Sequence, residues 1–106
     1  MKAKDLSEAD FDSTVLNATV PVLVDFWSPT CGPCRALAPV MDRLADEFGD
    51  EALILKVDLY DNMNLAQRFN VESIPTILLF KDGNEVARLS GNPKQEKLSS
   101  LIREHQ

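Results

Sequence analysis

The chain carries only two cysteines, and they stand three positions apart in Cys31-Gly32-Pro33-Cys34. They fall where an apolar run, Val22-Leu23-Val24-Asp25-Phe26-Trp27, gives way to a helical pattern from about Cys34 to Phe48. A strand feeding a helix through C-x-x-C is the sequence signature of a thiol–disulfide redox site. With Cys31 at the helix start, Cys34 lies one turn further along the same face, within bridging reach. The free N–H groups and the positive dipole end of the helix favour a thiolate at Cys31. Cys31 is therefore placed to attack a disulfide and Cys34 to resolve the product. Gly32 allows close approach and Pro33 suits a first helical turn. Neither brings a charge, and the lack of a His between the cysteines favours a reductant.

Two other uses of the pair weigh less. A structural disulfide at this spacing closes almost no loop, and it is out of place in a reducing compartment. A metal site needs four ligands, and two cysteines with one His105 near the chain end fall short. A site shared between two chains stays open, but no metal and no cofactor is expected.

At 106 residues the chain is expected to form one domain, 1–106, with a real core. Its 11 basic and 17 acidic residues give a net charge of −6 and are scattered, not blocked. With no basic patch and no interleaved aromatics, nucleic acid and anionic membrane are excluded as partners. The apolar runs are far shorter than a membrane span. The start, Met1-Lys2-Ala3-Lys4-Asp5, turns acidic before a signal-peptide core could begin, so a cytoplasmic protein is expected.

Taken in order, residues 1–6 are at best an edge strand. Ser7 with Asp10 resembles a capping box, opening a helix from about Glu8 to Asn17 on Phe11, Val15 and Leu16. Residues 22–27 are apolar on both parities apart from Asp25, as in a strand buried on both faces. Leu37, Val40, Met41, Leu44, Ala45 and Phe48 then recur at helical spacing, with Pro39 inside the helix and Gly49 at its stop. Residues 53–58 form a second central strand, and Asn62 to Phe69 a short helix. Strands Thr76–Phe80 and Glu85–Leu89 flank an Asp-Gly hairpin turn, and a last helix runs from about Lys94 to Glu104. The order is βαβαβαββα: three parallel strands plus an antiparallel hairpin, giving an α/β protein with a mixed central sheet and helices on both faces. Met41 reads as core, and Met63 and His105 as surface.

Val24-Asp25-Phe26-Trp27, Cys31-Gly32-Pro33-Cys34, Pro39, Lys56-Val57-Asp58, Ile74-Pro75-Thr76, Phe80-Lys81-Asp82-Gly83 and Gly91 occur in an order and spacing that together are highly specific. With these pieces nearly the whole chain resembles the thioredoxin family. The resemblance implies the thioredoxin fold and a protein disulfide reductase, or electron carrier, recharged by a thioredoxin reductase and acting on disulfide-containing client proteins. A monomer is expected. The resemblance also implies that Pro75 is a cis proline facing the redox pair, with the Ile74 backbone beside it pairing with a client strand. Thr30, Leu59, Tyr60, Ile74 and Gly91 would form the docking surface, with Trp27 supporting the active loop. It places Asp25 behind the cysteines as the group that exchanges a proton with Cys34, and Lys56 on the neighbouring strand, tuning it. Read from the residues alone, Asp25 could be a satisfied structural carboxylate, Lys56 an ordinary strand lysine, and Leu59 and Ile74 core. The chain departs from the family pattern at Thr30, where Trp is usual, and at Tyr60, where many members are acidic. Two alternatives to a general reductase follow: a member specialised for a narrow client set, or a binding module in a larger assembly.

Overall fold

The structure is a computed structural model and describes residues 2–106. Five strands form one sheet: β1 (Lys4–Asp5), β2 (Val22–Trp27), β3 (Leu53–Asp58), β4 (Thr76–Lys81) and β5 (Asn84–Ser90). Their spatial order is β1-β3-β2-β4-β5, with β3 parallel to both β1 and β2, and β4 antiparallel to both β2 and β5. Four helices cover it: α1 (Glu8–Leu16), α2 (Gly32–Phe48), α3 (Met63–Arg68) and α4 (Gln95–Glu104). The mixed α/β architecture is the one the hydrophobic pattern predicts.

The sheet separates two apolar clusters, because alternate side chains of a strand face opposite ways. Leu23, Ile54, Ile77 and Leu79 pack under α2 and α4, against Leu37, Met41, Leu44, Leu98 and Ile102. Val22, Val24, Phe26, Val57, Leu78 and Phe80 pack on the other face, against Phe11 and Val15 of α1 and Leu65 of α3. There Phe11, Phe69 and Phe80 form a ring trio with centroids 5.2 to 5.5 Å apart. Each such ring pair adds about 0.5–1.5 kcal/mol beyond the area it buries.

The hairpin between β4 and β5 has positive φ at both central residues, Asp82 (54°) and Gly83 (81°), the two-residue turn that Asp-Gly favours. Pro39 lies inside α2, as its place in the pattern predicts.

The start of α1 differs from expectation. Ser7 is its N-cap residue but makes no capping hydrogen bond; its hydroxyl donates to the Asp10 carboxylate at 3.4 Å. An Asp at the third position is shorter than the usual Glu and meets the hydroxyl instead of reaching past it. The first helical N–H, on Glu8, is satisfied from 54 residues away by Asn62 Oδ1 at 2.9 Å. His105 also differs from the surface residue expected of it. It is half-buried, with Nδ1 2.9 Å from the Leu101 carbonyl oxygen, one turn back along α4.

Candidate active site

The redox stretch sits at the end of β2, where the strand stops pairing and the chain turns into α2. The turn is closed locally, with the Cys31 N–H donating to the Ser28 carbonyl at 3.2 Å. Cys31 is the N-cap of α2, and Pro33 stands in the first helical turn. Where other helices place an oxygen, α2 uses sulfur: Cys31 Sγ accepts the Cys34 N–H at 3.2 Å. Cys31 and Cys34 are joined as a disulfide, with Cα atoms 5.2 Å apart. Cys31 is half-buried while Cys34 is 1% exposed, so only the first sulfur is open to an incoming partner. Gly32 and Pro33 are exposed between them, and a Cβ on Gly32 would meet nothing within 4 Å. The open side is room for a partner.

Asp25 is 1% exposed, and its Oδ1 has no hydrogen-bond partner among the described residues. Burial pushes its carboxyl from the ordinary 3.8 up to about 7, against a smaller pull downward from the Lys56 charge. Its ladder partners are Lys56 on β3 and Ile77 on β4, and strand alternation puts it on the α2 face of the sheet with Leu23 and Trp27. Lys56 Nζ lies 3.9 Å from Asp5 Oδ1 and 5.1 Å from the Trp27 ring centroid. Trp27 is half-buried, and its Nε1 is buried with no hydrogen-bond partner among the described residues. Trp27 and Lys56 line an open cavity of about 550 Å³ with Asp5, Asp58, Asp61 and Asn62.

The remaining site residues gather at the same sheet end. The β2–β4 ladder closes at Phe26 opposite Thr76, so Pro75 stands one step beyond, level with Trp27. The Ile74–Pro75 peptide bond is cis. The Pro75 carbonyl accepts the Gly91 N–H at 3.1 Å, and the Leu59 N–H donates to the Trp27 carbonyl at 2.8 Å, which ties both flanking loops to the site. Gly91 is exposed with φ of 82°, a conformation that favours glycine. Thr30 and Tyr60 are exposed, Tyr60 at 63%. Leu59 and Ile74 are half-buried and pack against the α1 and α3 cluster, so each divides its surface between core and solvent.

The sequence reading passed over Ser28, Asn62 and Asp5. Ser28 is 1% exposed, with its hydroxyl on Thr30; Asn62 is 6% exposed and, besides capping α1, donates from Nδ2 to the Asp58 carbonyl at 2.9 Å. A polar residue at a strand end or before a helix reads as a local cap. Nothing in the sequence marks that Asn62 finds its partner, the Glu8 N–H, in another element.

A protein-family model described as thioredoxin matches residues 2–104. The chain is 44% identical over 100 residues to a thioredoxin of Haemophilus influenzae, covering 94% of each. It is 39% identical over 103 residues to thioredoxin 1 of Synechococcus elongatus, covering 97% of this chain and 96% of that one. Among solved structures, a mutant thioredoxin from Halobacterium salinarum superposes with a TM-score of 0.87 at 32% identity, over 97% of this chain and 88% of the other. Members of this family generally work with a thioredoxin reductase and with disulfide-bearing clients. A cysteine pair closed at a helix start, on this sheet and with these relatives, makes the chain a member of the thioredoxin family and a thiol–disulfide oxidoreductase acting on protein disulfides.

Proposed function

We propose that the chain works as one thioredoxin domain, a monomeric cytoplasmic electron carrier in which Cys31 attacks and Cys34 resolves. The Cys31 thiolate bonds one sulfur of a client disulfide, and the client's other sulfur leaves as a thiolate and takes a proton. Cys34 then gives its proton to the Asp25 carboxylate and attacks Cys31 Sγ, expelling the second client sulfur as a thiolate. That thiolate takes up a proton from solvent while Asp25 releases the one it accepted. The client gains two electrons and two protons, and the chain is left as the Cys31–Cys34 disulfide. A thioredoxin reductase returns the two electrons.

The observation that carries this reading is the unequal exposure of the two cysteines, together with a buried carboxyl, Asp25, whose pKa is raised to about 7. A carboxyl titrating near neutral pH is matched to taking a proton and giving it back. The Cys34 N–H and the α2 dipole support a thiolate on Cys31. Thr30, Leu59, Tyr60, Ile74 and Gly91 form the face on which clients dock, with a client strand pairing beside Ile74.

The test is electron flow from NADPH through a thioredoxin reductase to a disulfide protein. Consumption of NADPH that needs both this chain and the client supports the reading. A chain that binds disulfide proteins without passing electrons is a binding module instead.

A further inference from the structure

The pair Ser28–Thr30 has a proton to place, and the surroundings fix where it goes. Ser28 is 1% exposed, directly before the exposed Pro29-Thr30. Its Oγ lies 2.9 Å from Thr30 Oγ1, and it also accepts the Thr30 N–H at 3.2 Å. Among the described residues this oxygen has no other hydrogen-bond partner. Either hydroxyl of the pair could in principle donate to the other. If Thr30 donated, the Ser28 O–H would be sealed inside the protein without an acceptor, which costs the full desolvation of a buried donor. If Ser28 donates, every bond is made and the leftover proton belongs to Thr30, which is exposed and has water or a partner to meet. The second arrangement wins.

We propose that Thr30 is a specificity-determining residue whose hydroxyl donates to an acceptor oxygen on the client segment next to its disulfide. Ser28 is the positioning residue that turns that proton outward. The proposal rests on the reading that a client's cysteine bonds Cys31, since it is this bond that brings the client's neighbouring residues against Thr30. The acceptor is a backbone carbonyl or an amide or carboxylate oxygen of an extended peptide. Accepting from Ser28 also polarises the Thr30 O–H and strengthens its donation. The same Ser28 carbonyl holds the Cys31 N–H, so donor and nucleophile are mounted on one buried residue. The family position that is usually an apolar indole face here carries a directed polar contact.

The test mixes the pre-reduced full chain with a synthetic disulfide-bridged peptide, and separately with a small aromatic disulfide that has no peptide groups. The readout is the ratio of the two second-order rates of chain oxidation. Thr30→Val keeps the shape and deletes the hydroxyl, and should lower the ratio roughly two- to tenfold, the worth of one net hydrogen bond. Thr30→Ser should keep the wild-type ratio. Ser28→Ala should lose part of it, and the double variant Ser28→Ala/Thr30→Val should fall no further than Thr30→Val alone. A purely structural effect would move both rates together and would not be restored by Thr30→Ser. An unchanged ratio in Thr30→Val overturns the proposal while leaving the reductase reading intact, and so does an equal loss on both substrates. A wild-type chain that reacts with neither disulfide overturns both.

Discussion

Asp25 and Lys56 are partners in the β2–β3 register, yet no hydrogen bond or ion pair joins them. The Lys56 ammonium goes to Asp5 and the Trp27 ring, and acts on Asp25 only through its field.

That relationship sets a pH dependence. The carboxyl titrates at 3.8 when unfolded and at about 7 when folded. Below the lower value both states hold the proton and the group adds no pH dependence. Between the two values the unfolded chain releases its proton and the folded one keeps it, so stability should fall with rising pH and level off above about 7. The full fall is on the order of 4 kcal/mol. In urea melts of the oxidised protein across this range, Asp25→Ala should remove most of the slope, gain stability at neutral pH and slow disulfide reduction. A variant less stable at neutral pH, with normal turnover, would mean the carboxylate serves structure.

Removing the Lys56 charge should push Asp25 above about 7, because the downward pull disappears and burial remains. Lys56→Met should therefore raise the Asp25 carboxyl titration, followed by NMR, and carry the pH profile of client reduction upward with it. No movement would show that Asp5 already neutralises the lysine's field.

The unequal exposure of the two sulfurs predicts which variant captures clients. Cys34→Ser should accumulate mixed disulfides through Cys31, visible by mass spectrometry after incubation with oxidised protein. Cys31→Ser should accumulate far fewer, since Cys34, in the first turn of α2, is buried. Capture mainly by Cys31→Ser would reverse the two roles.

Phe80 is 1% exposed and touches both other rings of the aromatic trio. Phe80→Ala should cost about 3–5 kcal/mol in a denaturant melt. The Cys31–Cys34 potential of the molecules still folded should hardly move, because this cluster lies on the sheet face away from α2. A large change in potential would show that the two faces communicate.

The elements were legible because each carries its own period. The two-sided apolar run at 22–27, the helical spacing from Leu37 to Phe48 and the Asp82-Gly83 turn each decide their structure within a few residues. The redox pair was legible for the same reason, since four consecutive residues contain it. Partnerships between distant elements were not. Asn62 capping α1 and Lys56 turning to Asp5 depend on which side chains the finished sheet brings together. The Ser28–Thr30 contact, though local, depends on the burial of Ser28 by the rest of the fold. The Ser7–Asp10 pattern marked the helix start but not its bonding: the Asp10 N–H goes to the Ser7 carbonyl, and the Ser7 hydroxyl meets the Asp10 carboxylate.

The division of the interior into two clusters, one on each side of the sheet, also bears on how such a chain can drift over generations. Cys34 and Asp25 belong to the α2 side, where a change of volume presses on the reacting sulfurs. The α1 and α3 side holds a comparable share of the interior and meets the site through the backbone of the sheet and through Leu59 and Ile74, which lean on it. Substitutions among its deeper residues, such as Phe11 and Phe80, are the ones expected to adjust heat tolerance or expression with the electron-carrying trade undisturbed across the partition. Half of the interior is thus under the discipline of one reaction, and the other half is left to climate.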